Sequence, residues 1–150
     1  MRREPAVGGS SEPVLIDTDV LSYLHNEHSL APAYRAILNG RQGFVALQSV
    51  AEMRFGAVLN AWAEARRMKL EAFLSAYTVI EPNDATASLW AQLRAQVQRA
   101  GRHTAPSDAW IAATALEYSL ILITHNVDDF LAVDGLRLLS LNGADLSGKP

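Results

Sequence analysis

The chain contains no cysteine, which excludes a disulfide framework and a thiolate metal site and is compatible with a reducing, cytoplasmic setting. No apolar run approaches the roughly eighteen residues that a membrane span requires, so no membrane association is expected. Residues 1–12 carry Pro5 and the run Gly8-Gly9-Ser10-Ser11 where a signal peptide would have its apolar core. They are expected to form a flexible tail, and residues 143–150 a C-terminal tail. Also missing are a Gly-x-Ser-x-Gly elbow, a P-loop and a Gly-rich dinucleotide fingerprint. Lysine is scarce, confined to Lys69 and Lys149. The net charge of −3 argues against a protein that coats DNA. It leaves a nucleic acid substrate open, because carboxylates that hold a cation subtract from net charge while creating a site for phosphate.

What is present is an ordinary globular composition. The 150 residues are 49% hydrophobic and 19% charged, enough for one domain with a substantial core. Short apolar runs at 13–17, 43–47, 78–80, 120–124 and 136–139 read as strands. Helical patterns fall between them, at 19–24, 31–38, 66–77, 85–100 and 107–118, with one turn at 127–131. Asp17 or Thr18 is placed to cap the first helix. Ser49-Val50-Ala51-Glu52 matches a capping box for a helix running through Met53, Ala57, Val58 and Ala61. Pro82-Asn83-Asp84 reads as a turn and cap, and Gly101 as the end of the amphipathic helix before it. Strands separated by helices predict an α/β fold, a parallel sheet with helices on both faces.

Acidic residues recur at the junctions of this pattern. Asp17 directly follows the apolar Val14-Leu15-Ile16, Glu52 lies just beyond the second strand, Asp108 opens a helix, and Asp128 and Asp129 follow the fourth strand. Each has a structural reading on its own: Asp17 and Asp108 as helix caps, Glu52 as the partner in a capping box, the last pair as solvated turn residues. Taken together they point elsewhere. Residues beyond the strands of such a sheet converge on the edge where α/β folds bind ligands, and converging carboxylates repel unless a cation joins them. Mg²⁺ and Mn²⁺ suit such oxygen donors, and such ions catalyse phosphoryl transfer without a protein nucleophile. His25 and His28 share a helix face, but Asn26-Glu27 between them is not the zincin arrangement and no third ligand follows. His103 and His125 lie near the acids and have two readings, as contacts to a phosphate or as polar loop residues. Trp62, Trp90 and Trp110 read as core or subunit contacts.

Four stretches carry a resemblance to a known family. They are Leu15-Ile16-Asp17-Thr18-Asp19-Val20-Leu21-Ser22, Ser49-Val50-Ala51-Glu52-Met53-Arg54-Phe55-Gly56, Ser107-Asp108-Ala109-Trp110-Ile111-Ala112-Ala113-Thr114-Ala115 and Ile123-Thr124-His125-Asn126-Val127-Asp128-Asp129-Phe130. In order and spacing they resemble the four motifs of PIN domains, and more narrowly the VapC toxins of bacterial toxin–antitoxin pairs, over residues 13–142.

The resemblance implies a three-layer fold around a parallel sheet of about four or five strands and a Mg²⁺- or Mn²⁺-dependent endoribonuclease activity. It makes Asp17, Glu52 and Asp108 the metal-site acids, with Thr18 or Thr124 in support. The family's fourth acid falls at Asn126, an amide here, and Asp128 or Asp129 is placed to compensate. Asp19 stands where Asn is frequent. The implied mechanism has Asp17 and Asp108 holding the metal, Glu52 binding through a water or orienting the attacking one, and Asn126 bonding a water or phosphate oxygen. Arg54 or a basic residue of 99–103 would neutralise RNA phosphates. The implied partners are an RNA substrate, a second copy of the chain and a small antitoxin.

Two other readings share some of these residues. Asp17-Thr18-Asp19 after an apolar strand also fits haloacid-dehalogenase-type phosphatases, although Leu21 stands where those carry Thr or Val, and no lysine follows a plausible strand. A PIN-like fold without activity, serving as a binding protein, is the third.

Overall fold

The computed structural model describes residues 11–142; the expected tails, apart from Ser11 and Glu12, lie outside this range. The chain runs β1 (Val14–Ile16), α1 (Thr18–His25), α2 (Ala31–Leu38), β2 (Gly43–Ala46), α3 (Leu47–Leu59), α4 (Glu64–Leu74), β3 (Thr78–Ile80), α5 (Asp84–Arg99), α6 (Pro106–Glu117), β4 (Ile121–Ile123), a 3-10 turn (Val127–Asp129) and β5 (Leu138–Leu139). The five strands are all parallel, in the order β3-β2-β1-β4-β5.

Strand periodicity of two distributes the apolar side chains between two cores. Val14 and Ile16 of β1, Val45 of β2, and Ile121 and Ile123 of β4 enter one core. There they meet Val20, Leu21 and Tyr34 of α1 and α2, Val50 and Met53 of α3, and Leu70 and Leu74 of α4. Leu15, Ala46 and Leu122 enter the other, against Leu93 and Val97 of α5 and the alanine-rich face of α6. Parallel sheets are covered on both faces, and for that reason these strands are continuous apolar runs without alternation.

The strand order also fixes where a site can form. From β1 the chain moves outward through β2 to the edge strand β3, then returns to the opposite side of β1 as β4. The boundary between β1 and β4 is the point at which the winding reverses, where loops leave in opposite directions and open a crevice beyond the strand ends. Register places Ile16 beside Ile123 there, so Asp17 and Thr124 are the first residues past a pair of adjacent strand ends.

Local structure departs from the sequence expectation most at α3. This helix begins at Leu47, straight from β2, with Ala46 as its N-cap and no capping side chain. The expected capping box of Ser49 and Glu52 does not form. Ser49 is fully buried within the helix, and both side chains turn to Thr18 instead. The helix also ends at Leu59, before Ala61, whose φ of 52° sits in a tight turn. A capping box does form at α5: Asn83 accepts from the Thr86 backbone at 3.1 Å, and Thr86 Oγ1 accepts from the Asn83 backbone at 2.9 Å.

Candidate active site

Asp17 is only 6% exposed. Its Oδ1 accepts the Thr18 backbone N–H at 2.8 Å, and its Oδ2 accepts the Thr124 hydroxyl at 2.7 Å. One acid is thus pinned by the helix it caps and by the neighbouring strand's next residue. Burial pushes the Asp17 carboxyl well above the usual carboxylate range, and the charges of Asp19 and Asp108 add to that, while the two hydrogen bonds pull the other way.

Asp19, two residues on, bridges the first and fourth sequence motifs. Its Oδ1 accepts from Val20 N at 2.7 Å, and its Oδ2 accepts from His125 N at 3.1 Å and Asn126 N at 3.2 Å. Its pKa is also raised, by burial, against the pull of those three backbone donors. The sequence marked Asp19 as a departure from the family pattern; the structure makes it the carboxylate that anchors the loop after β4.

Glu52 and Asp108 arrive on α3 and α6. Thr18 Oγ1 lies 2.5 Å from Glu52 Oε1 and 2.8 Å from Ser49 Oγ. A carboxylate only accepts, so Thr18 donates to Glu52 and receives the Ser49 hydroxyl proton. Asp108, half-buried in the first turn of α6, has its pKa pushed up to about 6 by burial and by the charges of Asp129, Glu52 and Asp19, in that order. The four acids and Asp129 therefore sense one another, with both Thr18 and Thr124 in supporting positions.

The other expected residues divide. Asn126 donates its backbone N–H into the site, to Asp19 Oδ2 and to Thr124 Oγ1, while its side chain is exposed. Of the two turn acids, Asp129 presses on Asp108. Arg54 does not serve the site: it forms a bidentate pair with Glu71 of α4 at 2.9 and 2.8 Å. Arg99, Arg102 and His103 make no ion pair or hydrogen bond to these acids among the described residues. His25 stacks on Trp62 and meets Phe73 edge-on, an aromatic packing role that removes it from any zinc site with His28.

Among the described residues, no three acidic or imidazole groups already converge enough to clasp an ion unaided. The donor set nevertheless fits a small hard cation. Mg²⁺ takes one or two carboxylates and completes its octahedron with water and phosphate oxygens. Burial raises Asp17 and Asp108 most and mutual repulsion among the acids adds to it, and that repulsion is a cost such an ion would relieve. Ser49 and Asp19 are the supporting residues whose role the sequence concealed, because their partners lie 31 and 106 positions away.

Residues 14–136 match the family model described as the PIN domain. The tRNA(fMet)-specific endonuclease VapC of Shigella flexneri is 31% identical over 125 residues, spanning 82% of this chain and 93% of that protein. The solved structure of FitAcB from Neisseria gonorrhoeae superposes with a TM-score of 0.69 at 26% identity, covering 84% of this chain and 96% of that one. VapBC2 from Rickettsia felis, bound to a DNA fragment from its promoter, reaches 0.76 at 22% identity, covering 85% and 97%, a likeness of fold. The chain belongs to the PIN-domain family and, within it, to the VapC-type ribonuclease toxins.

Proposed function

We propose that this protein is a Mg²⁺- or Mn²⁺-dependent endoribonuclease, the toxin of a VapBC-type pair. One observation carries the reading. Asp17, Asp19, Glu52 and Asp108 meet at the sheet's switch point, and no lysine or arginine is paired with them among the described residues. Acids held in mutual repulsion at a ligand-binding edge are costly for stability and suited to a cation.

Asp17 and Asp108 are the residues that would hold the ion, with Glu52 reaching it through a water or orienting the attacking one. When bound, the ion would polarise the phosphodiester and lower the pKa of a water. The chain's own contribution is orientation. Thr124 fixes Asp17, Thr18 fixes Glu52, and Asp19 sets the loop that presents Asn126. A tRNA substrate is supported by the Shigella flexneri relative's specificity. An antitoxin partner is supported by the toxin–antitoxin complexes among the structural neighbours. The exposed apolar side chains Phe55, Val58 and Leu59 of α3 and Met68 of α4 offer surface to such a partner or to a second copy in a homodimer.

The phosphatase alternative is not favoured. Leu21 stands where such phosphatases carry Thr or Val, and Lys69, the one lysine among the described residues, lies exposed within α4 and not behind a strand.

Cleavage of a tRNA preparation in Mg²⁺ by wild type, Asp17→Asn and Asp108→Asn tests the proposal. Each variant should lose activity by at least about 100-fold, the upper range for removing even an indirect metal contact. Cleavage unchanged in either variant would sink the mechanism.

A further inference from the structure

Arg54, one of the basic residues expected to meet substrate phosphates, is engaged with Glu71 instead. His125 stands between two site residues, Thr124 and Asn126, and is held from three sides. Its backbone N–H goes to Asp19, its carbonyl accepts Asn142 Nδ2 at 2.7 Å, and its ring Nδ1 lies 2.7 Å from the Tyr34 hydroxyl. Tyr23 and Tyr34 meet the ring edge-on, with centroids at 5.4 and 5.8 Å.

The buried Tyr34 oxygen receives the Leu141 N–H at 3.4 Å, and Ser140 Oγ accepts from Asn142 N at 3.0 Å. Across the 2.7 Å contact the phenol can direct its own proton to His125 Nδ1. The ring proton of a neutral imidazole then sits on Nε2. Nε2 has no partner among the described residues. A rigidly held N–H donor thus borders the acid cluster.

We infer that His125 Nε2–H binds a non-bridging phosphate oxygen of the RNA strand as it enters the carboxylate site, with Tyr34 as the positioning residue that fixes the donor tautomer. This rests on the ribonuclease reading. Orientation of the strand by a preformed donor costs little reorganisation at binding, and a hydrogen bond to a charged acceptor is of the stronger kind.

Steady-state cleavage of unfractionated tRNA in Mg²⁺ tests the assignment, with Mn²⁺ calorimetry on each variant. His125→Phe keeps a ring but no donor, and should raise the apparent KM about tenfold with kcat little changed and Mn²⁺ binding retained. His125→Gln, which can still donate, should recover most of that loss. Tyr34→Phe should raise KM in the same direction, and combined with His125→Phe should add almost nothing. A wild-type KM in His125→Phe, additive effects of the two changes, or His125→Gln no better than Phe would each overturn the assignment. Loss of Mn²⁺ binding in His125→Phe would do the same, by making the residue structural. A wild-type protein that neither binds nor cleaves tRNA would overturn the ribonuclease reading itself.

Discussion

Asp17 stands between opposing demands, since burial and two neighbouring acids favour its proton while Thr18 N–H and the Thr124 hydroxyl favour its charge. The balance has a thermodynamic consequence. In the unfolded chain Asp17 and Asp108 titrate near 3.8; in the fold both are raised, Asp108 to about 6 and Asp17 by burial to a higher range. Between those values the native state holds protons the unfolded chain has released, so metal-free stability falls as pH rises from about 4 through 6 and beyond. A divalent ion competes with those protons and binds more tightly as they leave. Thermal melts should therefore show Tm of the metal-free protein declining over this window. Mg²⁺ should raise Tm more at pH 8 than at pH 5, and Asp17→Asn should flatten both trends. A Tm that climbs with pH in the absence of metal would contradict this account of the acids. The position of Asp17 behind a buried strand was legible in the sequence; its support by Thr124, 107 residues away, came only through the resemblance, because no local pattern links the two.

Elements show the same division between local and distant causes. The strands were readable as short apolar runs, most plainly β1 and β4, which are buried throughout, and α5 because its stripe and its Asn83 cap are local in sequence. The start of α3 was not. Ser49-Val50-Ala51-Glu52 has capping-box spacing, yet the helix leaves β2 without a connecting residue and spends Ser49 and Glu52 on Thr18 of another element. Nothing local distinguishes a hydroxyl that caps its own helix from one that bonds across a fold. The two cases carry different expectations. Asn83→Ala removes a local cap on an element with no site acid, and should lower stability by about 1 kcal/mol in urea unfolding while tRNA cleavage is preserved. Cleavage lost without loss of stability would mean that α5 takes part in the site.

At the scale of the whole molecule, function follows from topology. The reversal of winding between β1 and β4 opens one crevice, and it draws Asp17 and Asp19 from the β1–α1 junction, Glu52 from α3, Asp108 from α6 and the 125–126 backbone to a common edge. Net charge of −3 is low for a protein that handles RNA, and the acids gathered at this edge contribute to it. The four motifs made the resemblance to PIN domains visible in the sequence. The sequence did not disclose that the weakest of them, with Asn126 in place of an acid, is tied to the strongest through Asp19. Nor did it show that Asp129 is the turn acid facing Asp108. Those are contacts between elements, created only when the sheet assembles.

The central claim is that these acids form a divalent-cation site, and titration calorimetry of Mn²⁺ into wild type and Asp17→Asn at pH 7.5 measures it without reference to any RNA. Saturable binding by the wild type is expected, with affinity reduced by at least about tenfold in the variant. Equal binding by the two proteins, or none by the wild type, would contradict it.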